Sequence, residues 1–456
     1  MNSKRVHSRP VSRRRALQLA SAGTVVLAGC LGGGDDGTTD EDAGEDENGN
    51  ENDGEKQNGD ESAGDDATAT QVDDEPDDKQ TDEDDAGEGD EAGPGIETEL
   101  PITGQQVPAL AGFDETMVSF MEEFEIDAGA LGVARDGEVV LERGYGWADE
   151  AETTQTAPDS FFRIGSISKS LTRAAVYELV EGGELSYEEP VLSLLAVEPS
   201  GGEPADERFS EITVRDLVDH RAGLTPSGNP EFEDPVFAPR AVANHLNRDS
   251  PPTTEDFVRY LLDQELVYDP GTPAEELTFN PYSNAGYVVL THVIESVTSQ
   301  SYQSYLESTV LPAPDEVGVA RADPTQRHPR EVSYHSPRQY PTALDPDSDE
   351  EVPWADGGFL LEPMAGAGGH YASTKGLLAF MRQYWVFFGE PRANEVDTDS
   401  PAALGSLPGT LTLAYHYDDN TEIVALFNRR PANPREWSGI LRSLDAAVAA
   451  VEEWPN

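Results

Sequence analysis

Phe161-Phe162-Arg163-Ile164-Gly165-Ser166-Ile167-Ser168-Lys169 carries an apolar segment straight into a helical pattern that continues to Glu181. Ile167, Leu171, Ala174, Ala175 and Leu179 recur at helical spacing, and Gly182-Gly183 is the stop. The spacing predicts a helix over 166–181 with Ser166 and Lys169, three apart, on one face of its first turn. That placement suits nucleophilic catalysis. A serine hydroxyl attacks poorly until a base takes its proton, and an amine can be that base once burial has lowered its basicity. Backbone N–H groups at the helix N-terminus favour a developing negative charge. Ser-x-x-Lys is a weak signal alone, and an exposed pair on a helix is the plain alternative. Lysine usage shifts the balance. Residues 101–456 hold only Lys169 and Lys375, so a chain that otherwise uses arginine has kept lysine where arginine could not deprotonate.

Outward from this helix the pattern is mixed. A helix around Met117 to Phe124 leads into Gly129 to Ala134, a turn at Arg135-Asp136-Gly137-Glu138, and Val139 to Arg143, which together predict a hairpin with an Asp-Gly turn. Thr213 to Asp219 predicts a short helix and Thr254 to Leu262 an amphipathic one. A stronger helix opens after Asn284 with Tyr287, Leu290, Ile294 and Val297 on one face. Proline-rich loops are expected from Leu311 to Val352. The end of the chain predicts a helix near Lys375 to Trp385, strands at Gly409 to Tyr415 and Glu422 to Asn428, and a closing helix from Trp437 to Val451. Strands at both ends with helices between them point to one antiparallel sheet completed by the two ends of the folded body.

Four further elements follow Ser166-x-x-Lys169 in order. They are His220-x-x-Gly223-Leu224, Tyr282-Ser283-Asn284, Gly368-Gly369-x-x-x-Ser373-Thr374, and Gly405-Ser406-Leu407-Pro408-Gly409. Together with Gly144-Tyr145-Gly146-Trp147-Ala148-Asp149, the series resembles the serine β-lactamase-related hydrolases over roughly Phe113 to Asn428. These include class C β-lactamases, penicillin-binding carboxypeptidases, D-aminopeptidases and family VIII esterases. The resemblance implies an α/β (α+β) fold of the β-lactamase/transpeptidase type, an antiparallel sheet flanked by helices plus an all-helical lobe, with the active site between them.

It also implies roles. Ser166 would be the acylated nucleophile, Lys169 its base or proton partner, and Tyr282 a proton shuttle for the leaving group and the deacylating water. Asn284, Gly405 and Ser406 would contact substrate, with the Ser166 and Ser406 amides as the oxyanion hole. The Lys-Thr-Gly or His-Thr-Gly triplet of the family, whose cation anchors a substrate carboxylate, stands here as Ala403-Leu404-Gly405. His416 or Arg429 could approach that edge in its place, and spacing does not choose between them. An ester or peptide substrate is therefore expected before a β-lactam. A non-catalytic descendant that keeps the cleft to bind a ligand or partner is the alternative. His220 reads as a buried structural histidine serving loop carbonyls. The other histidines, His292, His328, His335, His370 and His416 among them, show no metal-ligand spacing, so neither metal nor cofactor is expected.

The chain before this body has a different texture. Arg13-Arg14-Arg15 precede an uncharged stretch from Ala16 to Ala28, too short to span a bilayer, and the whole resembles a twin-arginine export signal. Leu27-Ala28-Gly29-Cys30 resembles a lipobox, and Cys30 is the only cysteine, so no disulfide can form within the chain. Residues 1–29 are expected to be a lipoprotein signal and Cys30 the lipidated residue that holds the protein to the outer face of the cell membrane. Residues 30–100 are rich in Asp, Glu, Gly and Asn with almost no large apolar residue, which predicts a disordered, self-repelling tether before a hydrolase domain at 101–456. The acid is not confined to the tether. Of 89 acidic side chains, 60 lie in residues 101–456 against 22 basic ones, and the formal charge of -59 excludes a nucleic-acid clamp. Such a surface with 25 arginines and 5 lysines fits a protein made for high salt, because at about molar salt the Debye length of about 3 Å removes the self-repulsion.

Overall fold

In the computed structural model, residues 98–392, 402–417 and 420–455 are described. The expected leader (1–29), Cys30 and all but the last residues of the acidic tether lie outside the described residues. The strands are β1 (Ile102–Thr103), β2 (Ala128–Arg135), β3 (Glu138–Gly146), β4 (Phe162–Arg163), β5 (Val317–Val319), β6 (Gln339–Pro341), β7 (Glu351–Pro353), β8 (His370–Ala372), β9 (Ala403–Leu407), β10 (Thr410–Tyr417) and β11 (Thr421–Phe427). The helices are α1 (Ala111–Glu123), α2 (Ser168–Glu181), α3 (Val214–Val218), α4 (Pro239–His245), α5 (Thr254–Leu262), α6 (Asn284–Thr298), α7 (Tyr302–Tyr305), α8 (Thr374–Gln383) and α9 (Pro434–Ala450).

Six strands form one antiparallel sheet in the order β1-β3-β2-β11-β10-β9. The β2/β11 pairing, with Leu131 opposite Ala425, joins the two ends of the body as the sequence predicts. In the β2/β3 hairpin Asp136 and Gly137 have φ of 51° and 80°. Two successive positive φ values define the turn that Asp-Gly favours, because its twist matches that of the strands.

Strand alternation assigns the two faces of this sheet. Leu131, Val133, Leu413, Ala425 and Phe427 pack with Met117, Met121, Trp437 and Leu444 of α1 and α9. On the other face β2 shows only Ala128, Ala130, Gly132 and Ala134, and these small residues let α8 lie close. A Cβ at Gly132 would stand 2.8 Å from Thr374 Cβ. Beyond α8 is the helical part, in which Leu171, Ala175 and Leu179 of α2, Phe257 and Leu261 of α5, and Tyr287, Leu290 and Ile294 of α6 share one core. The apolar stripes read from the sequence are therefore the buried faces of these helices, with Val297 half-buried at their margin.

Three expectations need correction. The first helix of the site begins at Ser168, not Ser166, because Gly165–Ile167 form a 3-10 turn in which Gly165 has φ +52°. The stretch expected as loops from Leu311 to Val352 contains β5 and β6, and β7 begins within it. Each has three residues, too few for a period-2 signal to emerge. The helix expected to reach Trp385 stops at Gln383, where Tyr384 turns to extended backbone. Among the described residues no helix is long and apolar enough to cross a membrane.

Candidate active site

The 3-10 turn ahead of α2 sets Ser166 half-buried at the mouth of a crevice, and the first turn of α2 puts Lys169 beneath it with 5% of its surface exposed. Tyr282, from the loop before α6, lies 116 residues away in sequence, and its hydroxyl donates to Ser166 Oγ at 2.8 Å. Lys169 Nζ stands 3.4 Å from Ser166 Oγ, 2.7 Å from Asn284 Oδ1 and 2.5 Å from the carbonyl of Ala367. Burying an ammonium requires acceptors for its N–H groups, and these three provide them. The contact to Ser166 Oγ is the longest of the set, so in this state the amine is held mainly by Asn284 and the Ala367 carbonyl.

Asn284 is fixed from behind. Its Nδ2 donates to Asp234 Oδ2 at 2.9 Å and its backbone N–H to Ser227 Oγ at 2.8 Å. It occupies the first helical position of α6, and the cap of that helix is Ser283, whose Oγ accepts from the Gly286 N–H. The Asp234 carboxyl is pushed above the ordinary carboxylate value by burial, while hydrogen bonds from Ser227 and Asn284 and the charge of Lys169 act in the opposite direction. Sequence reasoning missed Asp234. It is one acid among 60 in the body, and Asp234-Pro235 reads only as a helix start.

His220 is half-buried against the rings of Tyr282 and Tyr287, with centroids 4.5 and 5.1 Å away. Burial first, then the charges of Arg173 and Lys169, hold its pKa well below 6.5, so the ring is neutral. Its Nδ1 accepts from the Ser283 N–H at 3.1 Å. The structural reading of His220 agrees with this, but the group it serves is an amide N–H rather than the loop carbonyls expected.

The opposite wall is the edge strand β9. Two glycines press it against the Ser166 turn. A Cβ on Gly165 would come 2.7 Å from Ser406 N, and one on Gly405 would collide with the carbonyl oxygen of Ile164 and stand 3.3 Å from Ser166 N. The Ser166 and Ser406 backbones are thereby neighbours across the crevice floor. Ala403 and Leu404 are buried in the cores on the two sides of the strand and offer no charge.

A cation nevertheless reaches this wall. Arg430 Nη1 donates to Ser406 Oγ at 2.9 Å. The two residues expected to approach the edge do not do so. Arg429 Nη1 turns to the Glu125 carbonyl, and His416 is buried against Trp385 with its Nε2 accepting from the Val386 N–H. The parity of β11 explains the difference between Arg429 and its neighbour. Ala425 and Phe427 face α1 and α9, Val424 and Leu426 face the side of the site, and the alternation carried past the strand end gives the site side to Arg430. That signal was present in the sequence. Asn428 fixes the exit, accepting from the Ala128 N–H and donating to the Ser333 carbonyl, both at 2.9 Å.

Ser166, Ser227, Tyr282, Asn284, Ser406 and Arg430 are the polar residues that line one crevice. Phe237, Met364, Leu407 and Pro408 line it as well and are apolar. The structure thus gathers Ser166, Lys169, Tyr282, Asn284, Gly405 and Ser406 in one place, while Cys30 lies outside the described residues. Among the described residues no group of three or more His, Cys, Asp or Glu is arranged to hold a metal ion.

The family model described as Beta-lactamase matches residues 113–427. Among curated proteins, PbpX of Bacillus subtilis (strain 168) is 23% identical over 198 residues, 43% of this chain and 42% of that protein. The chain therefore spans less than half the length of this relative. Among solved structures, the D-amino acid amidase from Ochrobactrum anthropi SV3 complexed with D-phenylalanine superposes with a TM-score of 0.55 at 17% identity, over 76% of this chain and 99% of the amidase. The penicillin binding protein from Bacillus halodurans superposes with a TM-score of 0.50 at 17% identity, over 72% of this chain and 98% of that one. These likenesses are of fold, a mixed α/β architecture with an antiparallel sheet flanked by helices.

Proposed function

The chain belongs to the beta-lactamase family, and from that premise we propose that it is a serine hydrolase cleaving an ester or amide through an acyl-enzyme on Ser166. The observation that carries this reading is the meeting of a phenol and a primary amine at one serine oxygen, 2.8 and 3.4 Å away. Ser166 Oγ attacks the carbonyl carbon while its proton passes to the Tyr282–Lys169 pair in the form that holds one proton fewer, a phenolate beside the ammonium or a phenol beside the neutral amine. The carbon–oxygen or carbon–nitrogen bond of the substrate then breaks, and the leaving group takes that proton from Tyr282. Water, giving its proton to the same pair, attacks the ester on Ser166, and the pair passes that proton to Ser166 Oγ as the acid leaves. Asn284 holds Lys169 in place through both steps.

Negative charge develops on the substrate carbonyl oxygen in each half-reaction, and the neighbouring Ser166 and Ser406 amides are its donors. Each such donor is worth about 10²–10³ in kcat. These groups are backbone, so the altered triplet Ala403-Leu404-Gly405 leaves them in place. A carboxylesterase or peptidase fits this wall better than a β-lactamase. The leader sequence supports an exported lipoprotein held by lipid on Cys30 at the outer face of the membrane, with the acidic tether holding the domain off the surface.

Labelling by a fluorophosphonate probe tests the reading, run at molar salt, where the acidic chain is expected to fold. The wild type should be labelled and turn over 4-nitrophenyl butyrate, and Ser166→Ala should do neither. A wild type that is not labelled, or labelling that survives Ser166→Ala, would exclude a Ser166 enzyme and leave the ligand-binding descendant as the account.

A further inference from the structure

We propose that His220 is a positioning residue of this hydrolase, which seats the Tyr282-Ser283-Asn284 turn and thereby sets the Tyr282 phenol and the Asn284 amide about Ser166 and Lys169. The inference deepens the proposed function and rests on it for turnover, though not for where the turn lies. Four hydrogen bonds join that turn to residues 220–227. The Ser283 N–H donates to His220 Nδ1 at 3.1 Å, and Ser283 Oγ donates to the Thr225 carbonyl at 2.8 Å. The Ser227 N–H donates to the Tyr282 carbonyl at 2.7 Å, and the Asn284 N–H donates to Ser227 Oγ at 2.8 Å. The turn leads into α6, whose first N–H groups have no partner within the helix, and these ties order it from outside. Two of the partners, the Thr225 carbonyl and the Ser227 N–H, are backbone and would survive a change of side chain. His220 differs, because its ring also packs on that of Tyr282 with centroids 4.5 Å apart.

The support behind His220 is itself fixed. Its carbonyl accepts from the Tyr268 hydroxyl at 3.0 Å, and its backbone has φ +58°, a region that His and Asn enter more readily than most residues. The fully buried Tyr287 ring lies 5.1 Å away. The Tyr287 hydroxyl donates to the Val218 carbonyl at 3.0 Å and accepts from Arg173 Nε at 2.5 Å, so the ring on which His220 leans cannot drift.

The hydrogen bond fixes what the ring can do. A nitrogen that accepts an amide N–H carries no proton, so the neutral ring has its proton on Nε2. Its Nδ1 lone pair is thereby taken up, and His220 is not among the residues that line the crevice, so it is neither a base for the reaction nor a contact for substrate. Its effect runs through geometry. Ser283 is buried, and its N–H without an acceptor would draw the turn toward another partner. Tyr282 Oη stands 2.8 Å from Ser166 Oγ, and a shift of about 1 Å takes it out of hydrogen-bond reach.

The experiment uses two replacements that both suit the positive φ. Glycine removes ring and acceptor without backbone strain, and asparagine gives back an acceptor, its Oδ1, close to the place of Nδ1. At one fixed molar salt concentration, kcat for 4-nitrophenyl butyrate should fall about tenfold to a hundredfold in His220→Gly, with KM changed by less than about threefold. His220→Asn should recover most of that loss. A purely structural role would lower the urea midpoint of both variants and leave kcat per folded molecule alone. A folded His220→Gly within about threefold of wild type therefore overturns the proposal, as does a His220→Asn no faster than His220→Gly. Should His220→Gly not fold, a loss in His220→Asn of more than about tenfold overturns it. Crystal structures of the variants read the placement without turnover. Tyr282 Oη is expected to leave hydrogen-bond reach of Ser166 Oγ in His220→Gly and to keep it in His220→Asn, and either the reverse or no movement in His220→Gly overturns the proposal. A wild type that takes no fluorophosphonate label on Ser166 sinks the hydrolase reading alone and leaves these structures to judge His220.

Discussion

The two walls of the crevice are built on different terms. On the helical side Ser166, Lys169, Tyr282, Asn284, Asp234 and Ser227 form an unbroken chain of side-chain contacts, each group fixed by the next. On the sheet side β9 presents backbone and one glycine, Gly405, and the charged group comes from a different segment, the residues after β11. Proton transfer needs a base within hydrogen-bond reach of the oxygen it serves, so the helical wall has little room for substitution. Holding a charge needs only a cation that can reach it, so this task can pass from one strand to another while the backbone donors stay where they are.

The sharpest way to break this comparison is at the sheet wall, where the expected effect is largest. In Gly405→Ala the new Cβ meets the Ile164 carbonyl oxygen, a backbone atom that cannot turn aside as a side chain could. Strand β9 must retreat from the Ser166 turn, parting the Ser166 and Ser406 amides. kcat for 4-nitrophenyl butyrate should fall by about a hundredfold or more, with circular dichroism still showing a folded protein. Retention of activity within tenfold of wild type would mean that the sheet wall does not supply the oxyanion donor.

A smaller effect is expected at the helical wall. An amide side chain is nearly symmetric in shape, so packing alone does not decide which end of Asn284 faces Lys169. Chemistry decides it, because an ammonium only donates and the Asp234 carboxylate only accepts. Asp234→Ala removes that constraint and lets the amide present its NH₂ to the amine. The loss in kcat should be about tenfold to a hundredfold with little change in KM, as for other small misplacements of a catalytic group. Asp234→Asn, which can still accept from Asn284, should recover most of it. Equal losses in the two variants would show that the charge of Asp234 matters and the orientation of Asn284 does not.

Much of the helical wall was legible in the sequence because its signals are local. Ser166 and Lys169 lie one turn apart, and Tyr282-Ser283-Asn284 sits at the start of a strongly patterned helix. The sheet was legible because β2, β3, β10 and β11 are seven to nine residues long, enough for alternation to show. The three-residue strands β5, β6 and β8 carry no such pattern, and α4 is a seven-residue helix opening on proline. Asp234 and Arg430 were hidden for another reason. Each acts through a partner 24 to 50 residues away, and no spacing rule links a buried acid to the asparagine it orients. Arg430 could still have been chosen over Arg429 by following strand parity three residues beyond β11.

The smallest expected effect separates the walls by their titration. His220 on the helical side touches Tyr282, so its substitution would disturb the chemistry itself. His416 on β10 is outside the residues that line the crevice, and its Nε2 accepts the Val386 N–H. Burial first, and the charge of Arg392 second, lower its pKa from 6.5 to about 3. The folded state therefore keeps this ring neutral over a range in which the unfolded chain protonates it. The sign follows from linkage: the contribution is fully present above pH 6.5, declines as pH falls from there, and is lost once pH reaches about 3. Over that window one histidine changes the unfolding free energy by on the order of 1 kcal/mol per pH unit. His416→Gln keeps an acceptor for Val386 and removes the titration. Urea unfolding at pH 7, 6 and 5 should show a slope shallower than wild type by about one proton. Identical slopes would mean that His416 takes up its proton in the folded protein, and that the β10 side of the sheet is wetter than its burial indicates.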